Sequence, residues 1–146
     1  MAKARSTAGC FLGPLHLQFI DGRRWRLLNS FGYVAKDNRH VLVPRGFITD
    51  LASIPRVFWR VIPPTGPYGP ATVIHDFLYS NQPCSRKTAD RLFLEGMKVL
   101  KVAWWKRRVM YRAVRVFGGV PWQRHLEVLQ DEHRRIADGD DVFRER

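Results

Sequence analysis

Residues 71–100 read ATVIHDFLYS NQPCSRKTAD RLFLEGMKVL, and this stretch decides the fold. From Ala71 to Ser80 no glycine or proline interrupts the chain, which predicts a first helix. The segment Asn81–Cys84 carries Pro83 and breaks it. Ser85 is a natural N-cap, because its hydroxyl can accept from a backbone N–H of the first turn. The second helix then runs through Leu100, with Ala89, Leu92, Phe93, Met97 and Leu100 on one apolar stripe. A connection this short predicts that the two helices pack antiparallel.

Helical spacing continues towards the C-terminus. A third helix is expected from about Ala103 to Phe117, with a core stripe of Val102, Trp105, Val109, Ala113 and Val116 and a glycine C-cap at Gly118-Gly119. A fourth starts at Pro121 and fades into a charged tail after Ala137.

Towards the N-terminus the pattern changes. Residues 51–70 are rich in proline and glycine, yet Phe58, Trp59 and Ile62 are too apolar for a solvated linker, so an ordered loop is expected, with one helical turn at Val57-Phe58-Trp59. Before it, Leu15–Phe19 alternates, Asp21-Gly22 is a hairpin turn signal, and Trp25–Leu28 resumes the strand. A second hairpin is expected from Phe31–Ala35 and His40–Val43 across Lys36–Arg39, and Pro44–Thr49 adds one further short strand. The expected architecture is α+β in a single domain: a small antiparallel sheet over 10–50, the loop over 51–70, a three- to four-helix bundle over 71–137, and the tail over 138–146.

Composition agrees with a packed core. The chain has 146 residues, 45% of them hydrophobic, and no run approaches the roughly 18–20 apolar residues of a membrane span. The formal charge of +12 favours anionic partners such as anionic lipid, an acidic protein surface or nucleic acid. Cys10 and Cys84 lack metal-type spacing and read as reduced thiols. Ala8-Gly9-Cys10 imitates a lipoprotein cleavage site, but Met1–Thr7 holds Lys3 and Arg5 and no apolar stretch. Without a signal peptide, the expected location is the bacterial cytoplasm.

The chemistry concentrates on the first two helices. His75 and Tyr79 are four residues apart and share a helix face, while Asp76 points about 100° away. With the helices antiparallel, Asp90 faces both. A carboxylate accepting from one imidazole nitrogen fixes the tautomer and leaves the other to take a proton from water. Asp76 is placed to bind a cation or hold a substrate, with Asp50 as a second anionic ligand. In the loop, Ser53, Gly66 and Tyr68 are candidate binding positions, since glycine lets backbone approach a ligand. Read structurally instead, the same His, Asp and Tyr form a satisfied buried polar network. His125 and His133, eight apart on the fourth helix, read as solvated. On the third helix, Arg108, Arg112 and Arg115 form a basic face beside Trp104 and Tyr111, suited to anionic lipid, an acidic partner or nucleic acid.

Two resemblances bear on function. Gly46-Phe47-Ile48-Thr49-Asp50-Leu51-Ala52-Ser53-Ile54-Pro55, Pro64 to Gly66, Tyr68, His75-Asp76-Phe77-Leu78-Tyr79, Ala89-Asp90 and Tyr111 with Ala113–Gly118 resemble the phage- and prophage-associated domain of unknown function 1353, over about Arg45 to Gly118. That resemblance implies a phage or prophage origin and names no activity. More locally, His-Asp-x-x-Tyr on one helix and Ala-Asp-x-x-Phe on the next are similar to the active-site helices of phospholipase A2, especially the form built into parvovirus capsids. This likeness implies that His75 activates a water, Asp76 binds Ca2+, and Asp90 with Tyr79 orients His75. Three expectations stand: a small hydrolase, a virion or tail accessory component docking a phage structural protein, and a nucleic-acid-binding accessory protein.

Overall fold

The computed structural model describes residues 8–51, 60, 62–63 and 66–142. Ser53 and the turn expected at Val57–Trp59 lie outside them. Six strands come first among the described residues: β1 (Cys10–Leu12), β2 (Leu17–Asp21), β3 (Arg24–Leu27), β4 (Phe31–Val34), β5 (His40–Val43) and β6 (Ile48–Thr49). Four helices follow: α1 (Gly69–Asn81), α2 (Arg86–Val99), α3 (Trp104–Phe117) and α4 (Gly119–Val142). The arrangement is α+β.

The strands form two three-stranded antiparallel sheets, not one, in the orders β1-β4-β5 and β2-β3-β6. Both expected hairpins are present. In the first, Phe19 pairs with Trp25 in register and their rings meet edge to face at 5.2 Å. In the β1-β4-β5 sheet, β4 is central and buried at all four positions. The chain splits into two sheets because β1, at Cys10–Leu12, takes the free edge of β4, and β6 pairs back onto β3.

Helix α2 lies against the β4–β5 hairpin. Glu95 accepts from the Tyr33 hydroxyl at 2.7 Å and the Lys36 backbone N–H at 2.8 Å, and Arg91 reaches Asp37 at 2.9 Å. The expected antiparallel α1–α2 pair is joined through Gln82, which takes a left-handed conformation, and the Ser85 N-cap, whose hydroxyl accepts from Thr88 N–H. A Cβ added at Gly96 would stand 3.1 Å from the Ala71 Cβ, so a bare α carbon there sets how closely α1 and α2 approach.

Two expectations at the C-terminal end need correction. The buried residues of α3 are Met110, Ala113 and Val114, with Val102 just before it, while Trp105 and Val116 are exposed. The helix carries two apolar stripes, and packing against Phe93 and Met97 of α2 selects the Met110 stripe. Gly118 is not a left-handed cap: its φ is −71°, and α4 begins at once at Gly119 and continues to Val142, through the start of the expected tail. Pro121 sits in the first turn of α4, where its missing N–H costs no helical bond. No helix among the described residues is long and apolar enough to cross a membrane.

Candidate functional site

Asp90 is the pivot. It is fully buried on α2, and one of its oxygens accepts from His75 Nε2 at 2.8 Å and from the Tyr79 hydroxyl at 2.7 Å. The i, i+4 spacing on α1 delivers both donors to a single acceptor. Its other oxygen accepts from Arg115 Nη1 at 2.6 Å, with Arg86 Nη1 at 3.8 Å. Arg86 also donates to the carbonyls of Val114 and Arg115, tying the last turn of α3 to α2.

Electrostatics keep the carboxylate charged. Burial acts to raise the Asp90 carboxyl, but the hydrogen bonds from His75, Tyr79 and Arg115 outweigh it and hold the group below the ordinary aspartate value. Burial, and then the bond to Asp90, push the Tyr79 phenol far above its usual range, so it stays a donor. The hydrogen bond to Asp90 likewise raises Arg115. An ionised carboxylate only accepts, so His75 Nε2 carries a proton, and in the neutral ring Nδ1 is the basic nitrogen. The ring is held in place between Tyr79, at 4.2 Å centroid to centroid, and Phe93 at 4.7 Å.

This group borders a cavity of about 450 Å³. His75, Asp76 and Tyr79 of α1 line it, together with Thr49 and Asp50 at the end of β6 and with Phe117, Gly118 and His125 from the α3–α4 junction and α4. The β2-β3-β6 sheet therefore contributes directly: Thr49 Oγ1 donates to Asp76 and accepts from Leu51 N–H. Asp50 is exposed and Asp76 half-buried. Among the described residues no three His, Cys, Asp or Glu side chains cluster closely enough to hold a metal. Asp76 and Asp50 give oxygen donors of the kind calcium takes, well short of its six to eight ligands.

Several expected site residues fall elsewhere. Tyr68 is a core residue, buried among Ile62, Phe93 and Met97, and its hydroxyl has no hydrogen-bond partner among the described residues. Gly66 lies over the Tyr68 ring, where a Cβ would stand 2.6 Å from ring carbons, so its bareness serves packing and not a ligand. Arg108 and Arg112 are exposed and do not border the cavity, whereas Arg115, read with them as one basic face, turns inward to Asp90. Their spacing did not reveal this, because seven residues along a helix bring Arg115 back to within about 20° of Arg108. What differs is that Arg115 is in the last turn of α3, beside Asp90 of α2.

The sequence reading missed Thr49, Gly118 and His125. His125 was read as solvated, but it is half-buried on the cavity wall, one turn beyond Pro121, which lines it too. His133 is exposed and bonds the Leu129 carbonyl. Gly118 is required by close approach: an added Cβ would collide with the Val114 carbonyl oxygen and the Tyr79 hydroxyl. Gly118→Ala is expected to cost about 1–3 kcal/mol by overpacking and to weaken the Tyr79–Asp90 bond. Chemical denaturation checks the first effect, and the ultraviolet tyrosine spectrum of the folded protein checks the second.

The site thus defines an α+β protein that holds a histidine on a buried, triply bonded carboxylate at the edge of a small cavity. The family model described as Protein of unknown function (DUF1353) matches residues 25–114, well over half of the chain, and the chain belongs to that family. His75, Asp76, Tyr79 and Asp90 lie inside the matched stretch, and Arg115, Gly118 and His125 lie beyond its end. The chain is also 34% identical over 135 residues to the uncharacterized protein y4jT of Sinorhizobium fredii (strain NBRC 101917 / NGR234), which covers 89% of this chain and 40% of that protein. The chain spans about 40% of the length of this relative. No solved structure matches it.

Proposed function

We propose that this protein is a small hydrolase in which His75 is the general base and the cavity beside it holds an ester. The observation that carries this reading is the His75–Asp90 pair at the cavity wall. Asp90 fixes the proton on Nε2, so the opposite nitrogen is the one that takes a proton from water as its oxygen attacks the ester carbon. Positive charge that develops on the imidazole is balanced by the buried carboxylate, a contribution in the range of about 10²–10⁴ in rate for a well-placed base. Tyr79 and Arg115 keep that carboxylate oriented and charged.

The local likeness to phospholipase A2 supports the same roles: a histidine, an adjacent aspartate and a tyrosine on one helix, and a second aspartate on the next. In this reading calcium is the cation, with Asp76 and Asp50 among its donors, and none of the steps given to His75 and Asp90 passes through it. Turnover of short-chain esters and of phospholipid vesicles, measured with added calcium and with chelator, tests the reading. Hydrolysis is expected, and its dependence on calcium decides whether the two aspartates bind the ion. No turnover under either condition contradicts the hydrolase.

A second reading has its own support. Val116 and Val120 are 72% and 68% exposed beside the α3–α4 junction, an apolar surface on a strongly basic chain. A docking component of a phage particle would use such a surface, and the phage association of the resemblance favours that partner. Co-purification with virions separates it from the enzyme reading.

A further inference from the structure

The second histidine of the cavity is not used by the base mechanism. We propose that His125 is the general acid of this site, giving its proton to the oxygen that leaves when the ester is cleaved. This rests on the hydrolase reading above and adds a second catalytic group to it.

Ester hydrolysis moves two protons. The water oxygen bonds to the ester carbon while its proton goes to His75. The bond from that carbon to the leaving oxygen then breaks, and the electron pair stays with the oxygen, which needs a proton. A histidine held by a carboxylate serves both points where the leaving oxygen reaches the same nitrogen that took the proton, as in the Ser-His-Asp triad. The His75 ring is fixed by Asp90, Tyr79 and Phe93. A ring fixed in this way presents its basic nitrogen at one place. A separate donor elsewhere on the wall removes the need for it to move.

The other ionisable groups bordering the cavity do not suit this task. The Tyr79 hydroxyl is committed to Asp90 and is pushed far above its ordinary pKa, which makes it a poor proton donor. Arg24 grips Asp21 through two bonds, and a guanidinium does not give up its proton near neutral pH. Asp76 accepts from the Thr49 hydroxyl, and Asp50 is exposed. His125 makes no hydrogen bond or ion pair among the described residues, is half-buried, and borders the cavity from α4, a different element from His75. Imidazole is also the side chain whose charge changes nearest neutral pH, as an acid catalyst requires. Pro121, four residues earlier, borders the same cavity, so one turn of this face near the start of α4 is turned to it.

The test uses two butanoate esters that differ only in what leaves. 4-Nitrophenolate departs without a proton, whereas ethoxide needs one. His125→Ala and His125→Gln are expected to slow ethyl butanoate hydrolysis about 10²-fold or more while changing 4-nitrophenyl butanoate by less than about threefold. The glutamine variant keeps the helix face filled, and unchanged thermal unfolding shows that the fold is intact. An equal loss on both esters, or no loss on either, overturns the role of His125. His75→Ala is the separate control: it slows both esters if the hydrolase reading holds. Equal rates for His75→Ala and the original protein overturn that reading, and absence of turnover by the original protein on both esters overturns both.

Discussion

Asp90→Ala is expected to destabilise the protein by about 3–5 kcal/mol, the largest effect of any single substitution at this site. The side chain is fully buried and receives His75, Tyr79 and Arg115 together. Alanine leaves three donors facing a hole that none of them can fill. Two of those donors are buried, and each pays the desolvation of an unmet hydrogen bond. Arg115 partly escapes this, since its side chain is about a third exposed and can turn to water. Asp90→Asn should fall between the two proteins. Its amide oxygen still accepts from His75 and Tyr79, but its amide nitrogen then faces the Arg115 guanidinium, donor against donor. Unfolding in urea, with the slope compared between variants, measures the difference. A loss below about 1 kcal/mol for Asp90→Ala would mean that the carboxylate does not hold the three elements together.

The network is built from adjacent turns of chain, which explains why so much of it was legible. His75 and Tyr79 follow from i, i+4 spacing, and Asp90 follows from the short Asn81–Cys84 connection with the Ser85 cap. Each step needed only local geometry. Contributions from further away were not legible. Arg115 comes from α3, twenty-five residues after Asp90, and its sequence neighbours Arg108 and Arg112 carry the same charge on the surface. Nothing in composition separates an arginine that turns inward from one that does not. His125 depends on how α4 lies across α1, which Gln82 helps to set through its bond to the Trp122 carbonyl at 2.7 Å. Thr49 depends on β6 joining β3, a pairing over more than twenty residues. The division into two sheets was not legible, because Cys10–Leu12, which pairs with β4, is only three residues long and has too little alternation to read as a strand.

His75→Ala carries the second large effect, on rate and not on folding. Ester turnover is expected to fall by about 10³-fold, inside the usual range for loss of a general base. Removal of the ring leaves Asp90 with Tyr79 and Arg115 still bonded, so the carboxylate remains compensated and the fold survives. The ring's packing on Tyr79 and Phe93 is lost, for which about 1–3 kcal/mol is expected. His75→Gln fills more of that space and has no basic nitrogen, so it should be more stable than the alanine variant and equally slow. This separates chemistry from packing. A rate within about twofold of the original, with the protein folded, would leave the histidine as a structural member of a polar network.

The central claim is that a charged Asp90 takes the proton-bearing Nε2 of His75. A long-range proton–nitrogen spectrum of the histidine rings at mildly alkaline pH reads this directly. The account predicts a proton on His75 Nε2, slow to exchange with water, and none on Nδ1. A His75 protonated on Nδ1 instead, or with an Nε2 proton that exchanges with water too fast to be seen, would contradict it.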